Sequence, residues 1–364
     1  MNSAARSSAG ASLGSIQLLR GLAALAVALA HLHAVESRLA GAPLLGSWAL
    51  AGFGGVDLFF VISGFVMVWT TRDLQGRAGA VPGFAFARAA RIYPLWWLVC
   101  GALVAVWLVR PEWVYASHHT QAPDILRSLL LVPAPTLPLH AVGWTLIHEL
   151  WFYLVFAALL LAPARWLPGL LGLWALVVAG AALALPAPQS PLLALVRHPL
   201  TLEFILGAGV GLMATRGIWP APGLLVQVGL VWMAVAAIAA RSDANVLFAG
   251  EWWRVVAFGL PSALLVWGLA GMERQGWRAP RFGVRLGDWS YALYLIHVPV
   301  FAALGRLAAP VSTQGQLDSL ILLPAALVAA IAAAAILHIA FERPVQKAAS
   351  RVRRSLDRAT RTRL

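Results

Sequence analysis

About ten stretches of roughly 20 mostly apolar residues constrain the fold of this chain more than any other feature. An α-helix of about 20 residues crosses the hydrocarbon core of a bilayer. The composition agrees, since 61% of the 364 residues are hydrophobic and only 11% are charged. We therefore predict an all-α fold, a polytopic membrane helix bundle of about ten transmembrane helices. The predicted spans are 16–35, 50–71, 92–109, 141–162, 168–185, 199–215, 222–240, 253–271, 287–309 and 319–341.

The distribution of arginine and lysine residues predicts the orientation of these helices, because cytoplasmic loops carry an excess of them. With the N-terminus inside, all but seven of the 27 fall in cytoplasmic segments. The seven on the other side are Arg38, Arg110, Arg127, Arg197, Arg241, Arg254 and Arg306. An even number of spans then places both termini in the cytoplasm. The longest outer connection, 110–140, is either a lid, an acceptor-binding loop or a plain connector.

Charge and cysteine content exclude other classes of protein. The net charge of +13 lies in short loops and a tail between apolar spans, so it sets topology and does not indicate nucleic-acid binding. The single cysteine, Cys100, excludes an intrachain disulfide and a cysteine zinc site, and we assign no metal site. We predict a cytoplasmic segment 1–15, one transmembrane domain 16–342 and a basic cytoplasmic tail 343–364 that lies on anionic lipid. The first apolar segment is interpreted as an uncleaved helix, because two histidines interrupt it.

Arg20 and His31, both in that first segment, are the most informative polar residues. A charged or titratable group inside a membrane span is costly, so a function is the default hypothesis. Eleven residues make close to three helical turns, so the two side chains share a face and lie roughly 16 Å apart along the axis. An imidazole titrates near neutral pH and can take a proton from a hydroxyl group, which makes His31 the catalytic candidate. The alternative is a buried histidine bonded to a neighbouring helix, and His33 is given that structural role.

Two acidic residues and an aromatic stripe lie in other spans. Asp57 follows Gly54 and Gly55, and it either orients His31 or caps a broken helical turn. Glu149 orients a histidine or binds acceptor hydroxyl groups, with a structural ion pair as the alternative. The aromatic stripe recurs every three residues and comprises Tyr291, Tyr294 and His297. These side chains either support the structure by hydrogen bonds or contact substrate.

Arg88 and Arg91 lie three residues apart at the cytoplasmic start of the third predicted span, so they share a helical face. Two guanidinium groups can hold phosphate oxygens in bidentate fashion. The alternative is a topology signal without any ligand.

Seven motifs in order resemble the acyltransferase-3 family of bacterial integral membrane acyltransferases, over residues 15–345. They are Arg20 with His31, GGVDLFFVISGF at 54–65, RAARIYP at 88–94, WTLIHELWFY at 144–153, FILGAGVG at 204–211, SYALYLIHVP at 290–299 and FERP at 341–344. The opening segment and VDLFFVISGFVM are most similar to the branch that O-acetylates bacterial exopolysaccharides.

The resemblance implies a bacterial inner-membrane O-acyltransferase that moves an acyl group, with acetyl expected, from cytoplasmic acyl-CoA to a polysaccharide or a lipid-linked sugar. Acyl-CoA is a co-substrate, and no tightly bound cofactor is expected. The resemblance implies catalytic roles for His31 and Glu149 and donor-binding roles for Arg20, Arg88 and Arg91, while Asp57 is a further catalytic candidate. Trp144, Tyr153, Tyr294 and His297 are the substrate-binding candidates. Two rival interpretations remain, a proton-coupled transporter of a sugar or lipid-linked sugar and a non-catalytic partner in polysaccharide export.

Overall fold

The computed structural model describes residues 13–39, 44–115, 123–242, 251–313 and 315–361, and these ranges contain helices and no β-strand. This confirms the all-α prediction. The α-helices are α1 (Gly14–Leu39), α2 (Gly54–Thr71), α3 (Val81–Val109), α4 (Pro111–Tyr115), α5 (Ile125–Leu130), α6 (Gly143–Leu159), α7 (Leu167–Ala184), α8 (Pro191–Val196), α9 (Thr201–Thr215), α10 (Pro222–Ser242), α11 (Glu251–Arg254), α12 (Leu260–Arg274), α13 (Arg281–Ala308), α14 (Gln316–Leu337) and α15 (Arg343–Arg361). Two π-helical turns, Val255–Gly259 and His338–Glu342, join helices end to end.

Within the described ranges, 9 helical segments are long and apolar enough to cross a membrane. They are Gly14–Ser37, Ser47–Thr71, Ala78–Val109, Ala164–Ala184, Pro191–Thr215, Pro222–Ala240, Glu251–Arg274, Arg281–Val311 and Gln316–Arg353. A shorter apolar helix, Gly143–Leu159, occupies the place of the fourth predicted span. Each of the predicted spans therefore corresponds to an observed helix, which confirms the polytopic bundle. The cytoplasmic location of the termini stays a prediction.

The third helical segment begins earlier than predicted. It starts at Ala78 rather than at 92, so Arg88 and Arg91 lie well inside a helix. The 29 residues of α3 rise about 44 Å, which exceeds the thickness of a hydrocarbon core. Its first turns can therefore carry arginines at the membrane surface while the rest crosses. At the other end of the chain, the predicted basic tail is largely the helix α15.

The chain divides into two compact units, and the first comprises Met1–Asp73, Leu202–Tyr291 and Val298–Ala329. In this unit α1 packs on α2, and α10 packs on α12. Helices α2 and α9 touch backbone to backbone: a Cβ on Gly64 would lie 1.9 Å from the carbonyl oxygen of Phe204, and one on Gly207 equally close to that of Val61. Small residues allow membrane helices to approach this closely, so α2 and α9 require glycine at the crossing.

The second unit comprises Leu74–Thr201, Ala292–His297 and Ala330–Leu364. Its α3 packs against α6 and α15, around fully buried Trp96, Phe152 and Phe156. Aromatic side chains of α3 also fix the short helix α5, because they donate hydrogen bonds to its last carbonyl oxygens. These bonds run from Tyr93 to Leu130, from Trp96 to Ser128 and from Trp97 to Leu129, at 2.9 to 3.0 Å.

Candidate active site

In the first unit, the imidazole of His31 on α1 contacts its own helix and the ring of Phe53. Its Nδ1 lies 3.0 Å from the carbonyl oxygen of Val27, and its ring meets the ring of Phe53 edge-on, with centroids 4.9 Å apart. A carbonyl oxygen only accepts hydrogen bonds, so Nδ1 carries the proton in this contact. In the neutral ring Nε2 then holds the lone pair, which is the form that a general base requires.

Arg20 lies on the same unbroken helix as His31, as the spacing predicts. It is partly buried, and its Nη1 donates to Oε1 of Gln17 at 3.1 Å. The side-chain amide of Gln17 in turn donates to Asp288 at 2.5 Å. This chain of polar contacts links Arg20 through Gln17 to an acidic group on α13. The guanidinium group is thereby positioned at the start of α1, about three turns from the imidazole.

Asp57 on α2 has a partner that the sequence analysis did not consider. Its two carboxylate oxygens accept from Nε and Nη2 of Arg254, at 3.1 and 2.7 Å. Asp57 is fully buried, and the Arg254 side chain is 12% exposed. The topology prediction counted Arg254 among the outer residues, at the start of the predicted span 253–271, and the candidate span Glu251–Arg274 also contains it. The carboxylate of Asp57 is therefore engaged with a buried arginine, and a catalytic role for it stays a prediction.

In the second unit, Arg91 on α3 is engaged by an acidic residue. Its Nη1 lies 2.5 Å from Oε1 of Glu342, whose side chain is 3% exposed. The same carboxylate accepts from the Gln346 side chain and contacts Nδ1 of His338, each at 2.9 Å. Glu342 is the glutamate of the FERP segment, and the π-helical turn His338–Glu342 carries it. This carboxylate fixes Arg91 from a position 251 residues further along the chain.

Arg88, one turn before Arg91, has different surroundings. Its guanidinium group lies 5.6 Å from the ring centre of Phe84 and 5.7 Å from that of Tyr153. Its Nε is buried and has no hydrogen-bond partner among the described residues. The hydroxyl group of Tyr153 donates a short hydrogen bond to Glu149. Arg88, Tyr153 and Glu149 thus lie together, and Nε of the arginine has no acceptor among the described residues.

The substrate-binding candidate Trp144 lies at the start of α6, beside two histidines. Its ring meets that of His148 edge-on at 5.4 Å, and His148 meets His198 in the same way at 4.5 Å. Trp144 is partly buried. An aromatic face beside imidazole groups is suited to a polar, ring-shaped ligand. The substrate-binding role of Trp144 stays a prediction.

Tyr294 and His297 lie deeper in the second unit. The hydroxyl group of Tyr294 is 2.8 Å from that of Thr145 and donates to the carbonyl oxygen of Val142 at 3.2 Å. His297 is fully buried, and its Nδ1 contacts the carbonyl oxygen of Leu293 at 3.0 Å. These partners are the structural hydrogen bonds that the sequence analysis weighed against substrate contact. Tyr291, the third member of the predicted stripe, belongs to the first unit.

Sequence reasoning missed the partners of the charged residues. Arg254 was used only in the count of outer basic residues, and Glu342 only as part of a family motif. A signal was present in both cases, because a buried charge requires a partner of opposite sign. Asp57 lies inside a predicted span and therefore requires a cation nearby. Arg254, at the edge of another predicted span, is one of the few cations that could meet it.

Helices long and apolar enough to cross a membrane, with charged and titratable side chains buried among them, define a polytopic membrane protein with a candidate functional site inside its helices. The profile of an acyltransferase domain, that of the acyltransferase-3 family, matches residues 13–339. The chain therefore belongs to this family and is a membrane O-acyltransferase, as the motifs predicted. Family membership favours the enzyme over the transporter and over the non-catalytic assembly partner.

Two curated relatives agree with this assignment. The chain is 35% identical over 258 residues to the exopolysaccharide production protein ExoZ of Rhizobium meliloti, an alignment that covers 68% of this chain and 75% of the relative. It is 31% identical to the acyltransferase MdmB of Streptomyces mycarofaciens, with 94% and 93% of the two chains covered. Protein 2 in the picA locus of Rhizobium radiobacter is 30% identical over 38% of this chain. No solved structure matches the chain.

Proposed function

We propose that this protein transfers an acetyl group from cytoplasmic acetyl-CoA to a hydroxyl group of a cell-surface or secreted polysaccharide, or of its lipid-linked precursor, in the bacterial inner membrane. The observation that carries the proposal is a histidine, His31, inside a membrane helix with Nδ1 on a carbonyl oxygen, in a chain of the acyltransferase-3 family. The name of the relative ExoZ, an exopolysaccharide production protein, supports a polysaccharide acceptor.

In the proposed reaction His31 acts as a general base. Nε2 takes the proton of the acceptor hydroxyl group as its oxygen attacks the thioester carbonyl carbon. The carbon–sulfur bond then breaks, and the imidazolium returns the proton to the coenzyme A thiolate. The contact between Nδ1 and Val27 keeps the ring in the tautomer that this step needs.

The donor carries phosphate groups, for which arginine is the preferred protein ligand. Arg20 is proposed to bind them because it lies near the start of α1, on the helix that carries the base. Arg88 is proposed in preference to Arg91, because Arg91 is already paired with Glu342 and Arg88 retains an unsatisfied buried Nε. Glu149, which accepts from Tyr153, is proposed to bind acceptor hydroxyl groups.

The overall activity is tested on the glycans of the host. Mass spectrometry of surface and secreted polysaccharides is expected to show O-acetyl groups that disappear on deletion of the gene and return with the wild-type copy but not with His31→Ala. Unchanged acetylation in the deletion strain would overturn the proposed function.

Arginine-to-lysine variants separate the two arginines of α3. Lysine keeps the charge but loses the planar set of donors. Arg88→Lys is expected to raise the acyl-CoA concentration for half-maximal rate by about tenfold or more, since a hydrogen bond to a charged group contributes about 1.5–3 kcal/mol. Arg91→Lys is expected to lower thermal stability more than it raises that concentration, because it weakens the contact with Glu342. A larger change in the acceptor requirement than in the donor requirement of Arg88→Lys would contradict its assignment.

Single cysteines test the proposed orientation. We expect Ser117→Cys, in the outer connection and outside the described residues, to react with an impermeant thiol reagent in intact cells with a permeabilised outer membrane. Ser350→Cys, exposed on α15, is expected to react only after the inner membrane is opened. Both variants are made with Cys100→Ala, which removes the single natural thiol. Labelling of position 350 but not 117 would place the arginines on the wrong side for cytoplasmic acyl-CoA.

A further inference from the structure

A fully buried carboxyl group in the first unit is left without a hydrogen-bond donor. Glu203 on α9 is 0% exposed, and among the described residues neither of its oxygens has a hydrogen-bond partner. It lies within the candidate span Pro191–Thr215. An ionised carboxylate in such surroundings is among the costliest groups to bury, and a buried acid without donors is commonly neutral.

The charged groups near Glu203 include the carboxylate of Asp57 and the guanidinium of Arg254. We refer to these three residues as the acid–arginine cluster. Arg254 donates two hydrogen bonds to Asp57, so its charge is balanced by that carboxylate. A second ionised carboxylate would leave a net negative charge inside the membrane-spanning helices, which is unfavourable there. The cluster is neutral only when one of the two acids carries a proton.

The backbone beside Glu203 leaves room for its carboxyl group, because a glycine ends the neighbouring π-helical turn. The π-helical turn Val255–Gly259 directly follows Arg254, and π-turns of this kind are frequent at functional sites. A Cβ on Gly259 would lie 2.9 Å from Cγ and 3.1 Å from Oε1 of Glu203. A side chain at 259 would therefore displace the acid, so the turn that follows Arg254 also leaves the space for Glu203.

We propose that the acid–arginine cluster is a proton-binding site inside the membrane-spanning helices, with the proton on Glu203 in the resting protein. Two ionised carboxylates have no hydrogen to share, whereas a protonated Glu203 donates its O–H to Asp57. If Asp57 loses its charge, Glu203 releases the proton and becomes the counter-ion of Arg254. The cluster thus holds one proton. Glu203 keeps this proton while Asp57 is charged and releases it when Asp57 is not.

Infrared spectroscopy of the purified full-length protein tests this proposal. Wild-type protein is expected to show the carbonyl-stretch band of a protonated carboxylic acid, shifted in deuterium oxide. The band is expected to lose intensity in Glu203→Gln, which lacks the acid. It is also expected to lose intensity in Asp57→Asn, because Glu203 then ionises. The matched control is Glu36→Gln: Glu36 is 1% exposed but accepts from the backbone N–H groups of Leu44 and Leu45 at 2.6 and 2.9 Å, so its loss leaves the band unchanged. Absence of the band from the wild-type protein, or its full persistence in Glu203→Gln, would overturn the proposal.

Thermal unfolding supplies a second, independent measurement. A neutral amide replaces a neutral acid in Glu203→Gln, so the midpoint of unfolding is expected to stay close to that of the wild type. In the Asp57→Asn background the same substitution removes the second acid of the acid–arginine cluster, and the midpoint is expected to fall by several degrees further. Equal effects of Glu203→Gln in the two backgrounds, or failure of the single variant to fold, would contradict a proton on Glu203.

Discussion

Replacement of His31 by alanine is expected to lower the rate of acyl transfer by about 100- to 10,000-fold, the range for loss of a general base. The imidazole has its Nδ1 proton on the carbonyl oxygen of Val27, so Nε2 supplies the lone pair for the acceptor proton. The ring contacts include the carbonyl oxygen of Val27 on its own helix and the ring of Phe53, and alanine is a good helix former. The helix and membrane insertion are therefore expected to remain intact. Transfer is measured with labelled acyl-CoA and isolated acceptor polysaccharide.

His33→Ala is the matched control for this variant, since it removes an imidazole from the same helix two residues further on. It is expected to retain most of the transfer activity, because its side chain points away from the face shared by Arg20 and His31. Added imidazole is expected to restore part of the activity of His31→Ala and none to His33→Ala. Near-wild-type transfer by a well-expressed His31→Ala protein would remove the base from the proposed mechanism.

Removal of the Glu342 carboxylate is expected to destabilise the second unit by about 3–5 kcal/mol, the cost of leaving a buried ion pair without one partner. Glu342 is 3% exposed and contacts Arg91, His338 and Gln346 at 2.5 to 2.9 Å. In Glu342→Ala the guanidinium of Arg91 loses this carboxylate in a largely buried position. A fall in the unfolding midpoint of the purified protein in detergent measures the effect.

Asp73→Ala serves as the control for a surface pair. Asp73 lies 3.7 Å from Arg72 and is 82% exposed, and pairs of this kind contribute at most about 1 kcal/mol. The double variant Glu342→Ala with Arg91→Ala is expected to be less destabilised than the sum of its single variants, because they remove the same contact. A midpoint for Glu342→Ala no lower than that for Asp73→Ala would show that this carboxylate does not stabilise the fold.

The order and positions of the membrane helices followed from the sequence alone. A bilayer requires a helix of about 20 apolar residues for each crossing, and this requirement leaves a local signal that needs no knowledge of tertiary contacts. The short helix Gly143–Leu159 was also recognised in this way. The shared helix of Arg20 and His31 could be predicted for the same reason, since helical periodicity depends only on spacing. The motifs that carry the family resemblance are local as well.

The partners of the buried charges depended on the tertiary structure. Asp57 pairs with Arg254, 197 residues away, and Arg91 pairs with Glu342, 251 residues away. No local pattern encodes which of several distant ions meets a given one, because helix packing decides it. The sequence therefore determined that this is a polytopic membrane protein of the acyltransferase-3 type with polar groups inside its helices. Only the tertiary structure decided that Glu342 pairs with Arg91 and that Nε of Arg88 has no acceptor among the described residues. It also decided that Glu203 lies near Arg254, whose charge Asp57 already balances.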